Sequence, residues 1–329
     1  MKVTVVGAGA WGTALANLLC EGGHEATLWG HDPAHLADVR KRGVNELFLP
    51  GIPLAAAMRF ESDLRRAVAG AECVTLAVPS RFFREITVQL ADFSGLAVTV
   101  TKGIEYETGL TMSGVLNQTM PGARAAVLSG PTLAMEVARR IPAAIVAAHQ
   151  NPDVARQVQL LFNRPTFRVY TSADVLGVEM GGALKNVVAI AAGIADGLGF
   201  GDNAKAGLIT RAIVEIRRLG VQCGASAETF SGLSGLGDLA VTCYSRLSRN
   251  RGFGERVGRG EKVEAILAST RTVAEGYFTA RSAYKLSRRK GRQTPIIDET
   301  YAALYEGKNT RQAVNDLMTR ELKTEEDQR

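Results

Sequence analysis

Lys185 stands in "GGALKNVVAIAAG", residues 181–193, and no other charged residue occurs in that run. A buried ammonium costs several kcal/mol, or its pKa falls until it neutralises. Lys185 therefore either snorkels to water past a close helix contact, or lines a site that uses it. A lysine whose pKa is lowered by desolvation titrates nearer neutral pH, where a proton donor and acceptor works best. On a helix, Lys185 shares its face with Gly181, Gly182, Val188, Ala189 and Ala192. Four of those five are Gly or Ala, where an ordinary core face would carry Leu and Ile. Such a face is expected to leave room for a planar ring and a small substrate.

Three further residues suit the same chemistry. Asp238 follows "GLSGLG" and precedes "LAVTC". It reads either as a helix N-cap or as a carboxylate that pairs with Lys185 and orients it. Arg249 and Asn250 suit a phosphate, through a bidentate guanidinium and amide N–H donors, with a solvated loop arginine as the alternative. Lys102 closes an apolar run at the strand end where α/β sheets bind ligands, or is a surface lysine there. In "VPS", Pro79 is expected to shape a loop and Ser80 to cap a helix. The four histidines, His24, His31, His35 and His149, have no Ser or Cys partner at an interpretable spacing. The four cysteines, Cys20, Cys73, Cys223 and Cys243, form no C-x-x-C and have no histidine at zinc spacing, so no metal site is expected.

"GAGAWG" places Gly7, Gly9 and Gly12 in a G-x-G-x-x-G spacing directly after an apolar strand pattern. In that context the first glycine allows a tight turn, the second lets the backbone approach a pyrophosphate, and the third lets helix and strand pack closely. The helix N-terminus then faces the phosphates. The ribose reader should lie at the end of the second strand, where "WGHD" stands. Asp32 precedes Pro33 and reads as a helix N-cap rather than a ribose ligand, while His31 suits a 2′-phosphate. The cofactor is accordingly NADP or NAD.

These residues need a scaffold. Apolar runs at 3–7, 26–29, 73–78, 97–101, 125–129, 143–148 and 167–171 alternate with helix-length segments, the pattern of strands buried on both faces. After residue 174 the pattern is helical throughout, at 174–196, 203–220, 226–231, 253–259, 261–268, 274–290, 295–305 and 310–320. The expected fold is α/β, with an N-terminal Rossmann-type doubly wound, mainly parallel sheet in residues 1–176 and an all-α domain in residues 177–329. The chain has 329 residues and a net charge of +6. Its densest basic stretches, 248–260 and 288–292, show neither a helix-turn-helix nor an aromatic-studded basic face, so no nucleic-acid partner is expected. No uncharged apolar run approaches the ~18 residues of a membrane helix, so no membrane insertion is expected. The N-terminus opens straight into a strand and the cysteines are scattered, which points to the cytoplasm.

In their order and spacing, "GAGAWGTALA", "LWGHDP", "NELFLPG", "AVPS", "TKGIE", "SGPTLAMEVA", "GGALKNVVAIAAG", "GLSGLGDLAVTC", "SRNRGFG" and "VAEGY" closely resemble the bacterial-type NAD(P)-dependent glycerol-3-phosphate dehydrogenases over essentially the whole chain. The resemblance implies reversible NAD(P)H-dependent reduction of dihydroxyacetone phosphate to sn-glycerol 3-phosphate, supplied for phospholipid synthesis, in a homodimer. It implies that Lys185 is the proton donor and acceptor, that Lys102 touches substrate and cofactor, and that Asp238 is the active-site aspartate. It implies substrate contacts at Gly130, Thr132, Ser248, Arg249 and Asn250. It implies cofactor contacts at Gly7, Gly9, Ala10, Trp11, Gly12, His31, Phe48, Ala134, Arg249, Val273 and Glu275. Two positions depart from the family pattern: Ala10 stands where many members have serine, and Phe48 where many have tyrosine. A β-hydroxyacid dehydrogenase-like enzyme acting on a small carboxylate is the alternative, since those enzymes share the two-domain plan and a lysine on the connecting helix. They lack "SRNR".

Overall fold

Val3, Val5 and Val6 are buried and so is Thr4, so β1 (Lys2–Val6) is covered on both faces. The computed structural model describes residues 1–270, 274–322 and 324–325. Eight strands form one sheet in the order β10-β9-β8-β7-β6-β1-β2-β5. These are β2 (Glu25–Trp29), β5 (Arg59–Glu61), β6 (Cys73–Leu76), β7 (Leu96–Thr99), β8 (Arg124–Ser129), β9 (Ala143–Ala148) and β10 (Phe167–Ser172) around β1. Every neighbouring pair is parallel except β8 and β9. The strand order reverses beside β1, and that crevice is where open α/β sheets bind ligands. All seven apolar runs are strands. The structure adds β5 and a separate antiparallel pair, β3 (Val44–Asn45) with β4 (Leu49–Pro53). These are short, polar or broken by Pro and Gly, so they carry no periodic signal.

Helices α1 (Ala10–Glu21), α2 (Pro33–Arg42), α3 (Leu64–Val68), α4 (Phe83–Val88), α5 (Met112–Thr119), α6 (Ala134–Ala138) and α7 (Pro152–Phe162) accompany the sheet. The rest of the described chain is helical: α8 (Val175–Gly197), α9 (Asp202–Gln222), α10 (Asp238–Tyr244), α11 (Arg249–Gly258), α12 (Val263–Ser269), α13 (Glu275–Arg289), α14 (Pro295–Tyr305) and α15 (Thr310–Met318). Helix α10 and the π-type turn at 233–237 before it are additions to the sequence expectation. The second core gathers Leu184, Val187, Ile190, Ile216, Phe230, Leu239 and Ile297.

Helix α8 is long and apolar enough to cross a membrane, yet it is the buried axis of this core. Asp174 caps it, accepting from the Gly177 amide at 2.9 Å. Its small residues serve close packing. A Cβ on Gly193 would lie 2.0 Å from the Arg251 carbonyl oxygen, and one on Gly254 of α11 would lie 2.0 Å from that of Ile190. The backbones of α8 and α11 therefore touch, and the N-terminal end of α11 is set directly by α8.

Candidate active site

Lys185 lies midway along α8 and is 6% exposed. Its Nζ donates to Asp238 Oδ1 at 2.5 Å and to Thr242 Oγ1 at 2.6 Å. The Thr242 hydroxyl in turn donates to the Asp238 carbonyl oxygen at 2.6 Å. Lys102, just past β7, donates from Nζ to Asp238 Oδ2 at 2.6 Å and to the Gly130 carbonyl at 2.9 Å. One carboxylate, 1% exposed, thus bridges two lysines that lie 83 residues apart in sequence (185 minus 102). Burial lowers the Lys185 pKa to about 8; Asp238 opposes the fall, and the Lys102 charge adds to it.

Two alternatives that the sequence left open are excluded here, and one expectation is corrected. Lys185 does not snorkel: its amine is buried and paired. Asp238 is the first residue of α10, and its side chain makes no cap hydrogen bond. Gly181 and Gly182 do not leave open space either. A Cβ on Gly181 would meet the Ser234 carbonyl at 2.5 Å, and one on Gly182 would meet Ser129 Oγ at 2.5 Å and the Lys102 stem at 3.5 Å. The missing side chains let α8 come within reach of Lys102 and of the turn that delivers Asp238.

Ser248, Arg249 and Asn250 open α11. Ser248 is the N-cap, its Oγ accepting from the Arg251 amide at 3.2 Å. Asn250 donates to Asn186 Oδ1 at 2.9 Å and accepts from the Gly276 amide at 2.9 Å. The Ser248 hydroxyl proton and the second amide proton of Asn250 take part in none of these bonds. Arg249 keeps an exposed surface although protein surrounds it closely enough to lower its pKa, with Glu275 opposing that shift. Glu275, at the start of α13, accepts from the Ser80 amide at 3.2 Å and the Ser80 hydroxyl at 2.5 Å. Ser80 was expected to cap a helix; its hydroxyl turns instead to this carboxylate from the other end of the chain. Thr132 lies in the loop after β8, its hydroxyl donating to the Gly130 carbonyl at 3.1 Å. Ala134 begins α6.

The glycine loop has the shape its spacing predicts. Gly7 has φ +124°, and a Cβ there would lie 2.7 Å from the Ala77 carbonyl. A Cβ on Gly12 would lie 1.9 Å from the Gly7 carbonyl. Beside Gly9, in contrast, nothing lies within 4 Å of where a Cβ would be, and no side chain caps α1. An open cradle at an uncapped helix N-terminus fits a pyrophosphate. Ala10 and Trp11 form the first residues of α1, with the Trp11 ring against Phe167 at 6.3 Å. Asp32 is the N-cap of α2, its Oδ1 accepting from Ala34 and His35 at 2.9 and 3.1 Å. That carboxylate oxygen is engaged by the helix. His31 is exposed beside it, and Phe48 packs edge-on against His35. Val273 lies outside the described residues.

Thr242 and Asn186 escaped the sequence reading although each left a trace. Thr242 is four residues after Asp238, on the same face of α10, and Asn186 directly follows Lys185. The pairing of Asp196 with Lys205 at 2.7 Å and with Arg251 at 2.6 Å left none, since it joins three helices.

A glycine-rich strand-to-helix turn in a doubly wound sheet, followed by a helical domain carrying a lysine–carboxylate cluster, is the form of a dinucleotide-dependent dehydrogenase. Two family models match the chain: the N-terminal part of NAD-dependent glycerol-3-phosphate dehydrogenase over residues 2–155, and its C-terminal part over residues 174–315. A Geobacter sulfurreducens protein named glycerol-3-phosphate dehydrogenase (NAD(P)+) is 49% identical over 98% of each chain. A Chlorobium limicola protein of the same name is 45% identical over 99% of each. The crystal structure of a Coxiella burnetii glycerol-3-phosphate dehydrogenase superposes with a TM-score of 0.94 at 33% identity, covering 97% of this chain and 99% of that one. The chain belongs to the NAD-dependent glycerol-3-phosphate dehydrogenase family.

Proposed function

We propose that this protein catalyses the reversible NAD(P)H-dependent reduction of dihydroxyacetone phosphate to sn-glycerol 3-phosphate. The observation that carries the reading is the buried Lys185–Asp238–Lys102 bridge, with Arg249 exposed at the start of the helix packed against α8. The bound dinucleotide supplies the hydride. The protein's part is the proton. The Lys185 ammonium at Nζ gives a proton to the ketone oxygen and takes it back from the alcohol, and a pKa of about 8 suits both directions. Asp238 holds that ammonium in place. Lys102 sets a second positive charge beside the oxygen as charge develops on it. Arg249 takes the phosphate, with donors from Ser248 and Asn250. Gly130 and Thr132 shape the loop that meets the substrate. Gly7, Gly9, Ala10, Trp11 and Gly12 would cradle the pyrophosphate, with His31, Phe48, Ala134 and Glu275 along the rest of the dinucleotide.

The division of the chain at residue 176, a homodimeric state, a cytoplasmic location and a role in phospholipid synthesis belong to the same reading. The sequence motifs and the family membership support them. The test is oxidation of NADH and of NADPH, measured separately, with dihydroxyacetone phosphate as the ketone. Turnover with either is the expected result. No turnover in a preparation that binds dinucleotide would overturn the reading, and small β-hydroxyacids would then be tried as substrates.

A further inference from the structure

Glu179 lies on α8, six residues before Lys185, and is 6% exposed. The mechanism above does not use it. Its carboxylate does not point at the cluster. It reaches the N-terminus of α5, where Oε1 accepts from the Ser113 amide at 2.8 Å and Oε2 from the Ser113 hydroxyl at 2.5 Å. Thr111 occupies the N-cap position of α5 but caps nothing with its side chain. The orphan Ser113 amide in the first turn of α5 is therefore satisfied by a residue 66 positions away, on another element.

The segment held this way begins at Lys102. Ile104 pairs with Thr111 in an isolated antiparallel bridge, and the Glu105 amide donates to the Leu110 carbonyl at 2.9 Å. The chain from 104 to 111 is thus a closed loop whose two ends move together. Ile104 is buried in the second core among α8 residues, and the stem of Lys102 lies against Gly182. Lys102 precedes the bridge by two residues, and Lys185 follows Glu179 by about 9 Å of helix. Clamping Ser113, two residues past Thr111 of the bridge, to Glu179 through both its amide and its hydroxyl therefore fixes the register between the two backbones that carry the two lysines.

We infer that Glu179 is a positioning residue for the reaction: by capping α5 from α8 it holds the Lys102 segment in register, so that Lys102 and Lys185 meet on opposite oxygens of Asp238. The inference rests on the proposed role of the two lysines. Glu179 acts through Lys102, and its loss is felt at Lys185. The charged and titratable groups around Lys185 are Asp238 and Cys243 from α10 and Lys102 from the β7 end. With Lys102 displaced, the repulsion on the Lys185 ammonium falls and Asp238 is left to Lys185 alone. Both changes favour the charged form.

The experiment uses the full chain with isotope-labelled lysine. The Lys185 titration is followed by NMR without cofactor, and turnover is measured in parallel. In Glu179→Ala, Lys185 is expected to titrate above its wild-type value, and kcat for ketone reduction to fall about tenfold. Glu179→Gln should restore both, since its carbonyl can accept from the Ser113 amide while its NH2 donates to the Ser113 hydroxyl. Lys102→Met should shift Lys185 in the same direction, and the double variant should shift it no further. If Glu179→Ala fails to fold, Ser113→Ala carries the same readouts, with smaller changes in the same directions expected. An unmoved Lys185 titration, or shifts from the Glu179 and Lys102 variants that simply add, would overturn the inference. Absence of ketone turnover in the wild type would instead overturn the reading on which it rests, and the NMR titration would still report the coupling.

Discussion

Lys185 illustrates how a single side chain acquires chemistry from its surroundings. Alone, an ammonium with a pKa near 10.5 holds its proton too tightly to exchange it at neutral pH; burial brings it to about 8. The sign of the pH dependence follows. Below about 8 the group is an ammonium and can protonate a ketone; above it the amine can accept a proton from an alcohol. Initial rates across about pH 6 to 10 should therefore show kcat/KM for reduction falling, and that for oxidation rising, through the same region. Asp238 raises the Lys185 pKa against desolvation, so Asp238→Asn should move both limbs to lower pH as well as slow turnover. Limbs that stay in place would leave Asp238 with orientation alone. At Arg249 the expected effect is on binding. Arg249→Ala should raise KM for the phosphorylated ketone by one to two orders of magnitude, about 1.5–3 kcal/mol for a charge-assisted contact. If the variant still prefers phosphorylated over unphosphorylated ketone as strongly as the parent, the phosphate lies elsewhere.

At the scale of elements, two devices place these residues. The first is contact between the backbones of α8 and α11. Gly254→Ala would add up to about 1 kcal/mol of helix propensity, but its Cβ would lie 2.0 Å from a backbone carbonyl that no rotamer can move. The clash decides the sign, and a net loss of about 1–3 kcal/mol is expected in urea unfolding. A raised KM for the phosphorylated ketone should accompany it, because α11 carries Arg249. The second device is the buried glutamate that caps a distant helix. Glu215 of α9 accepts from the Ile296 and Ile297 amides of α14, both at 2.9 Å, as Glu179 does for α5. Desolvation outweighs those bonds and raises the Glu215 pKa from 4.5 to about 7. A folded-state pKa above the unfolded one means stability that is full below about 4.5 and lost as pH rises through about 7. The loss is roughly 3 kcal/mol. Urea midpoints measured over that range should fall more steeply with pH in the wild type than in Glu215→Gln. Equal slopes would mean that Glu215 titrates no differently when folded.

At the scale of the molecule, contacts between distant parts of the chain tie the sheet half to the helical half. Ser80, beyond β6, meets Glu275 at the start of α13, and Arg289 donates to the Thr108 and Glu107 carbonyls, both at 3.2 Å. Ser80→Ala removes one donor from a carboxylate whose pKa burial already raises, and should cost about 1–2 kcal/mol in chemical unfolding. KM for the dinucleotide should rise with it; an unchanged KM would confine Ser80 to stability. How much of this was legible beforehand depended on range. Seven strands, the glycine loop and its turn, the Asp32 cap, the helical second half and Lys185 itself were readable, because each rests on residues within a few positions of one another. Backbone sterics, periodicity and desolvation act over that distance. The pairing of Asp238 with Lys185 was one of two readings of that residue, and the structure selects it. That the same carboxylate also takes Lys102, and the Thr242 bond to Lys185, the Ser80–Glu275 contact and the Glu179 cap, were not readable, because their partners lie 57 to 195 residues apart. The same glycines that suggested an open face at Lys185 proved to be the condition for close packing. A missing side chain in a sequence says that something must come near, and only the tertiary structure decides whether that is a ligand or the protein's own backbone.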